Sequence, residues 1–258
     1  MDIIEYFSSM SLVCGIVPVS ECKINRPYLI ERAGFTPVSV IMIAAPYRCA
    51  PYDYRNISIY AVPRDYHGFF RTLFESCVPE LEKAHPGFRF AGFADHSPIA
   101  EVDAAQKAGL GVIGENNLLI NPTYGSYIFL GEILTDLTPE KYSAPVENRC
   151  LKCGKCRMSC PDPNGCLSAL TQKKGVLTPD EEEKIRKTGC AWGCDICQSV
   201  CPMNKSAKLS SVGYFKEGAT PHITTDLILG MSDKEFGERA YSWRGRECIL
   251  RNLRIIGC

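Results

Sequence analysis

Cys150-Leu-Lys-Cys153-Gly-Lys-Cys156-Arg-Met-Ser-Cys160-Pro161 is answered further along the chain by Cys194-Asp-Ile-Cys197-Gln-Ser-Val-Cys201-Pro202. The first run has the spacing C-x2-C-x2-C-x3-C-P, the bacterial ferredoxin pattern. Three of its thiolates wrap one face of a [4Fe–4S] cube, and the fourth, before proline, reaches the other cube. Two such half-motifs specify two clusters with crossed ligands. Cluster one takes Cys150, Cys153, Cys156 and the distant Cys201. Cluster two takes Cys160, Cys194, Cys197 and one more thiolate. The second run holds Ala191 where the pattern asks for its first cysteine, which leaves Cys166 and Cys190 as candidates. Zinc would have to crowd the three thiolates of C-x2-C-x2-C onto one tetrahedral ion, and both runs end in Cys-Pro, so clusters fit better. A chain with two adjacent clusters moves electrons.

The remaining composition is ordinary. The chain has 258 residues, enough for one large or two modest domains, and a formal net charge of zero. No bulk charge therefore draws it toward nucleic acid or membrane. Its start, Met-Asp-Ile-Ile-Glu, is acidic where a signal sequence is basic, and the apolar stretch from Val38 to Ala45 is far too short to span a bilayer. The expectation is a soluble cytoplasmic monomer with no membrane association, in a compartment where disulfides do not persist. Cys14, Cys22, Cys49, Cys77, Cys190, Cys248 and Cys258 fall outside the eight expected ligands and suit small buried hydrophobes.

Residues 1 to about 145 alternate between strand and helix signals. Val38–Ala45 reads as a buried strand stopped by Pro46, and Ile57–Val62 as a shorter one stopped by Pro63. Phe69, Phe70, Leu73, Phe74, Cys77 and Leu81 repeat at three or four and predict a helix ending near His85-Pro86-Gly87, with Pro79 as a possible kink. Phe88–Phe93 alternates as a strand. Pro98–Ala108 reads as a helix with Ser97 as N-cap and Gly109 as its stop. Leu118–Asn121 and Tyr127–Leu134 read as strands joined by a turn. Residues 138–148 are polar and proline-bearing, a linker into the cluster region. Residues 179–187 place acids first and bases last, as a short helix prefers. Arg239–Cys258 is a basic amphipathic helix. Its plain reading is docking by its apolar side; its sharper one is phosphate contact through Arg251 or Arg254.

Two clusters alone do not need so long a preceding domain. Gly109-Leu-Gly111-Val-Ile-Gly114 is G-x-G-x-x-G but follows a helix signal, the wrong context for a dinucleotide turn. Its glycines suit a tight turn or close approach to a flat ligand.

Five boxes occur in one order. Tyr60-Ala-Val-Pro-Arg64-Asp65-Tyr66-His67 resembles a Tyr-Ala-x-x-Arg-Asp-Tyr-His box. Phe93-Ala-Asp95-His-Ser-Pro98-Ile-Ala-Glu101 and Ala108-Gly-Leu-Gly111-Val-Ile-Gly114-Glu-Asn116 resemble Val-Asp-x-x-Pro-x-x-Glu and Ala-Gly-Leu-Gly-x-Ile-Gly-Lys-Asn. Tyr124-Gly-Ser126-Tyr-Ile-Phe-Leu-Gly131-Glu132 follows, then the cysteine runs with Gly165-Cys166-Leu-Ser-Ala-Leu-Thr171. Over roughly residues 38 to 256 the chain resembles the epoxyqueuosine reductases, cobalamin-dependent iron–sulfur enzymes of tRNA modification. The resemblance implies an α+β chain. Residues 1–145 would form a nitroreductase-like α/β domain that binds cobalamin, 146–205 a ferredoxin-like double-cluster domain, and 206–258 a short helical tail. It implies two [4Fe–4S] clusters, cobalamin held near Tyr60, Asp95, Ser97, Leu119, Ile120 and Asn121, tRNA as substrate, and an external donor such as ferredoxin or flavodoxin. It favours Cys166 over Cys190 as the eighth ligand. It makes Asp95 the proton donor, at a place where desolvation would raise its pKa toward donor range; a helix cap beside Ser97 is the plainer alternative.

The chain departs from the family at Val102 and Glu115, where an arginine and a lysine are usual, and in ending at Cys258 where longer members continue into helical repeats. Two other readings stand beside the first: a dehalogenase-like cobalamin reductase of a small molecule, and a non-catalytic electron-transfer or corrinoid-handling protein.

Overall fold

An unbroken apolar run, Ser39-Val-Ile-Met-Ile-Ala-Ala-Pro46, becomes the central strand because both of its faces are covered: every residue of it is buried. The computed structural model describes residues 1–147 and 149–258; the last residue expected in the linker, Asn148, lies outside the described residues. Contacts gather the chain into two units. The first comprises residues 1–47, 66–152 and 203–212, the second 48–65, 153–202 and 213–258. Segments 48–65 and 203–212 thus belong to units other than those of their chain neighbours.

The first unit runs α1 (Ile3–Ser9), β1 (Val13–Pro18), α2 (Pro27–Ala33), β2 (Ser39–Pro46), α3 (Tyr66–Ala84), β3 (Phe90–Phe93), α4 (Glu101–Lys107), β4 (Val112–Ile113), β5 (Leu119–Ile120) and β6 (Ile128–Thr135). Four strands form one sheet in the order β1-β2-β6-β3, antiparallel at every pairing, and β4 with β5 makes a separate two-stranded ribbon. The α/β alternation expected for residues 1–145 is therefore realised as an α+β unit built on an antiparallel sheet. One face carries Val40, Met42, Ala44 and Leu134, packed with Ala104, Ala105 and Ala108 of α4 and with Ile99, Leu110 and Leu119. Ile41, Ile43 and Ile133 are buried on the other. There α3 lies close: a side chain at Gly92 would strike the Phe74 ring, and one at Gly131 the Phe70 ring.

Two local expectations need correction. Ile57–Val62 is no strand: a single bridge joins Ile57 to Trp192, and Ile59–Ala61 forms a 3-10 turn. Its alternating apolar residues are buried by tertiary packing instead. The helix expected at Pro98 begins at Glu101 with Ala100 as its cap residue, because Ser97 Oγ accepts the Ile99 N–H and lies 3.1 Å from the Ile99 carbonyl, closing a turn of its own. The two strands expected on either side of the Asn121–Gly125 turn are both present, β5 paired with β4 and β6 with β2 and β3.

The second unit holds α5 (Lys155–Met158), α6 (Leu167–Thr171), α7 (Pro179–Thr188), α8 (Ile196–Ser199), α9 (Thr225–Gly230), α10 (Asp233–Gly237) and α11 (Arg246–Ile256). Its core gathers Ile57, Val62, Trp192, Ile223, Tyr241, Ile249 and Leu253. Helix α7 begins with a capping box between Thr178 and Glu181. Helix α11 docks by its apolar side, and its buried Asn252 donates to the carbonyls of Thr171 (2.7 Å) and Ala191 (2.8 Å). Arg251 donates to the carbonyls of Lys173 and Gly175, and the helix expected over Arg239–Cys258 is confined to Arg246–Ile256. No helix among the described residues is long and apolar enough to cross a membrane.

Candidate functional site

The two cysteine runs fold alike. Each forms a one-turn helix, α5 around Cys156 and α8 around Cys197, and the two helices pack against each other. Arg157 N–H donates to Gly154 O at 3.1 Å and Cys160 N–H to Arg157 O at 3.2 Å; 41 residues later Gln198 N–H donates to Asp195 O at 2.9 Å and Cys201 N–H to Gln198 O at 3.2 Å. The offset is the same for Cys153 and Cys194, Cys156 and Cys197, Cys160 and Cys201, and the two prolines. The same offset from Cys150 lands on Ala191, which is fully buried. The eight expected ligands are free thiols, Cys153 and Cys166 exposed and the other six half-buried. Among the described residues no three His, Cys, Asp or Glu side chains converge on a single metal ion; a cube, each of whose irons takes its own thiolate, asks for no such convergence.

Cys166 and Cys190 differ in setting. Cys166 is the exposed residue that caps α6. Cys190 Sγ donates to the carbonyls of Trp192 (3.4 Å) and Gly193 (3.3 Å), and burial pushes its thiol up to about 12. Between Cys194 and Cys197 sits Asp195, buried, accepting Ile59 N–H at 2.7 Å and facing Arg55 at 3.4 Å; burial pushes its carboxyl up to about 6. Tyr60, in the same unit, is held up above its ordinary range by burial, and its hydroxyl lies 3.4 Å from Gln172 Nε2.

In the first unit the chain leaves β3 at Phe93 and turns back through a loop to α4. Asp95 lies on this loop with φ of 63°, a left-handed conformation that aspartate tolerates better than most residues. The loop is clamped from the side of residues 23–26. The N–H groups of Asn25 and Arg26 donate to Pro98 O, Arg26 Nη1 donates to Ser97 O at 2.9 Å, and Ala100 N–H donates to Lys23 O. Asp95 N–H donates to Glu101 Oε1 at 3.1 Å. The Asp95 side chain is 65% exposed, and its Oδ2 lies 3.4 Å from His67 Nε2. The desolvation expected for Asp95 is therefore not found. Two acids stand behind it: Glu132 of β6 is fully buried and Glu101 half-buried, and burial holds both carboxyls above the ordinary range.

The other residues expected at a cofactor pocket are buried. Ser97 is closed into its own turn. Leu119 and Ile120 pair with β4. Asn121 donates to Leu110 O and accepts from Thr123 and Tyr124 N–H. The glycines at 109–114 make turns and close approaches within the chain: Gly109 has φ of 78°, and a side chain at Gly111 would strike the Ile120 carbonyl. Of the expected contacts, Asp95 is exposed and Tyr60 partly so. Reasoning from sequence did not single out His67, Glu101 or Glu132 as site residues. The signal was there for Glu132, a lone acid inside the apolar strand Ile128-Phe-Leu-Gly-Glu-Ile-Leu-Thr135.

No protein-family model matches the chain. An epoxyqueuosine reductase of Gloeobacter violaceus is 35% identical over 219 residues, 77% of this chain and 68% of that protein. The chain spans 57%, 45% and 52% of three longer relatives of the same name, about half their length. A crystal structure of an epoxyqueuosine reductase with an epoxyqueuosine-modified tRNA-Tyr stem loop superposes with a TM-score of 0.81 at 26% identity, covering 98% of this chain and 79% of that one. The Bacillus subtilis epoxyqueuosine reductase, solved with its catalytic aspartate loop swung out of the active site, gives 0.79 at 25% identity over 98% and 79%. An exposed aspartate on a clamped loop, a duplicated cysteine run and a relative matched over two thirds of its length agree: the chain belongs to the epoxyqueuosine reductase family.

Proposed function

We propose that this chain is an oxidoreductase that reduces epoxyqueuosine in tRNA to queuosine, with Asp95 as proton donor. The observation that carries the reading is Asp95 itself. Its carboxyl is exposed, it sits on a loop held at both ends, and His67 lies beside it. A donor must reach its substrate in a fixed pose and then recover a proton, and these features suit both needs. The Bacillus subtilis relative has a catalytic aspartate loop, and the loop of Asp95 is proposed as its counterpart.

Removing the epoxide oxygen to leave an alkene consumes two electrons and two protons and releases water. Cys150, Cys153, Cys156 and Cys201 would hold one [4Fe–4S] cluster and Cys160, Cys166, Cys194 and Cys197 the other; the clusters would supply single electrons, and cobalamin, when bound, a strongly reducing cobalt centre. Cys166 is chosen because its thiol is exposed, whereas that of Cys190 is already engaged with two carbonyls. Asp95 supplies a proton to the departing oxygen, and His67 stands where it can restore that proton. In the first unit the contacts proposed for the corrinoid are Asp95, Ser97, Leu119, Ile120 and Asn121, of which Asp95 is exposed; in the second unit the contact proposed is the half-buried Tyr60. A nitroreductase-like unit, a ferredoxin-like unit, a cytoplasmic setting, a monomeric state and a ferredoxin or flavodoxin donor complete the reading.

The test is conversion of epoxyqueuosine-bearing tRNA to queuosine by anaerobic protein with cobalamin and a chemical reductant, read by nucleoside mass spectrometry. Asp95→Asn keeps shape but removes the acid. Its turnover is expected to fall by about 10²- to 10⁴-fold with iron content unchanged. An equally active Asp95→Asn protein removes the acid role; a wild type without turnover removes the substrate.

A further inference from the structure

The two cysteine runs share a backbone but not a charge. The offset that carries Cys153 onto Cys194 carries Gly154 onto Asp195, Lys155 onto Ile196 and Arg157 onto Gln198. From Cys153 to Cys160 the chain holds two cations and no acid; from Cys194 to Cys201 it holds one acid and no cation. Lys155 and Arg157 are exposed, so water and salt screen them. Asp195 is buried, its side chain only 4% exposed. It stands at the N-cap of α8 but makes no capping bond there. Its Oδ2 accepts Ile59 N–H at 2.7 Å and lies 3.4 Å from Arg55 Nε, while its Oδ1 is buried with no hydrogen-bond partner among the described residues. Arg55 is shared, since its Nη1 donates to Tyr52 O at 2.8 Å. A buried carboxylate oxygen without a donor costs free energy that capping or packing does not explain. Because Asp195 follows Cys194 in the chain, their Cα atoms are about 3.8 Å apart, and its charge is within reach of whatever the thiolates hold.

We propose that Asp195 sets the potential of the cluster held by Cys160, Cys166, Cys194 and Cys197 and makes it the more strongly reducing of the two. The role rests on the two-cluster reading of the cysteine runs. Reducing a cluster adds one electron and so one negative charge; no bond forms or breaks. A fixed negative charge close by, in a buried setting that weakens screening, opposes the added charge and lowers the potential. Arg55 offsets part of this from the wetter side, its side chain being 24% exposed. Asp162, two residues past Cys160, is more exposed than Asp195 and is paired with Lys184 at 3.3 Å, so its contribution is smaller. At the matching place in the first run Gly154 has no side chain, and the exposed cations beside it act in the opposite sense.

The test is a potentiometric titration of the full chain with both clusters reconstituted and no corrinoid, at pH 8. Titanium(III) citrate is the reductant and electron paramagnetic resonance the readout. The wild type should show two separate one-electron steps. Asp195→Asn keeps the shape and can still accept the Ile59 N–H, but carries no charge. In this variant the lower step should move up. The ratio of reduced to oxidised cluster at a fixed potential should rise about tenfold, which for one electron is about 59 mV, and the upper step should move by less. Arg55→Gln uncovers the acid and should move the lower step down. Coincident steps in the wild type, a lower step unmoved in Asp195→Asn, or an upper step that moves as much or more overturns the role. If Asp195→Asn loses iron, Arg55→Gln decides alone: a downward shift of the lower step supports the role, and its absence overturns it. Iron and sulfide analysis separates this from the ligand reading. A wild type with fewer than two cubes overturns the ligand reading, whereas two cubes with unmoved potentials overturn Asp195 alone.

Discussion

The most informative single residues of this chain are acids in unequal surroundings. Asp95 is solvated, while Glu132 is sealed in the sheet, where burial first and then the charge of Glu101 hold its carboxyl above the ordinary range. Such a division has a consequence for stability. The folded-state pKa values of Glu132 and Glu101 lie above their unfolded ones. Their contribution is fully present below the unfolded glutamate pKa and is lost as pH rises through the folded values. Across that window the folded state loses about 1.4 kcal/mol per pH unit for each proton difference. Glu132→Gln is expected to flatten this slope. In anaerobic thermal melts the variant should gain on the wild type between pH 5 and pH 8, and parallel curves would show that Glu132 is ionised in the folded protein. None of this was visible in the sequence beyond the oddity of an acid in a strand. Spacing along a chain does not reveal which residue of an adjacent helix a strand residue meets.

At the scale of elements, what the sequence made legible depended on how local each rule is. The likeness of the two cysteine runs was readable because their spacing is written within a dozen residues, and α3 because its apolar face, Phe70, Leu73, Cys77 and Leu81, repeats over three turns. Helix α7 was readable from its acids and bases, and the central strand from its unbroken apolar run. Ile57–Val62 was misread because alternation signals burial on one side, and here a 3-10 turn packed into the second unit's core buries the same residues. Strand β1 (Val13–Pro18) carried no clear signal, since it is defined by pairing with β2 rather than by its own pattern. Glycines were legible as special but not for their reason. At Gly131 the reason is the Phe70 ring of α3, packed where a methyl would stand. Gly131→Ala should therefore destabilise by about 1–3 kcal/mol through overpacking, read as a lower melting temperature. Phe70→Leu in the same chain should recover part of the loss, and an additive double variant would place the strain elsewhere.

For the molecule as a whole, family membership follows from boxes spread along the chain, whereas the two contact units follow from none of them. Segment 48–65 lies far in sequence from the rest of its unit, and bonds such as those of Asn56, donating to Ile223 O and accepting Ile223 N–H, and of Ser58, donating its N–H to Trp192 O, tie it there. These are long-range pairings that no local pattern encodes. The proposed ligand set makes a prediction at the same scale. Cys166→Ser should lose about half of the iron, since one of two cubes loses a thiolate, and Cys190→Ser should keep all of it. Iron and sulfide analysis of anaerobically reconstituted protein reads the difference, and the reverse result would exchange the two residues.

The broken symmetry at Ala191 carries one more meaning. Its N–H is bonded to Asn56 O at 2.7 Å and its carbonyl takes Asn252 Nδ2, so the position that would complete the second half of the repeat is a buried joint of the core instead. Two equal half-sites would offer a travelling electron no preference between them. On the proposed ligand set one half would borrow its last thiolate from outside the repeat, so the two clusters would have unequal surroundings, and inequality is what gives a relay a downhill direction.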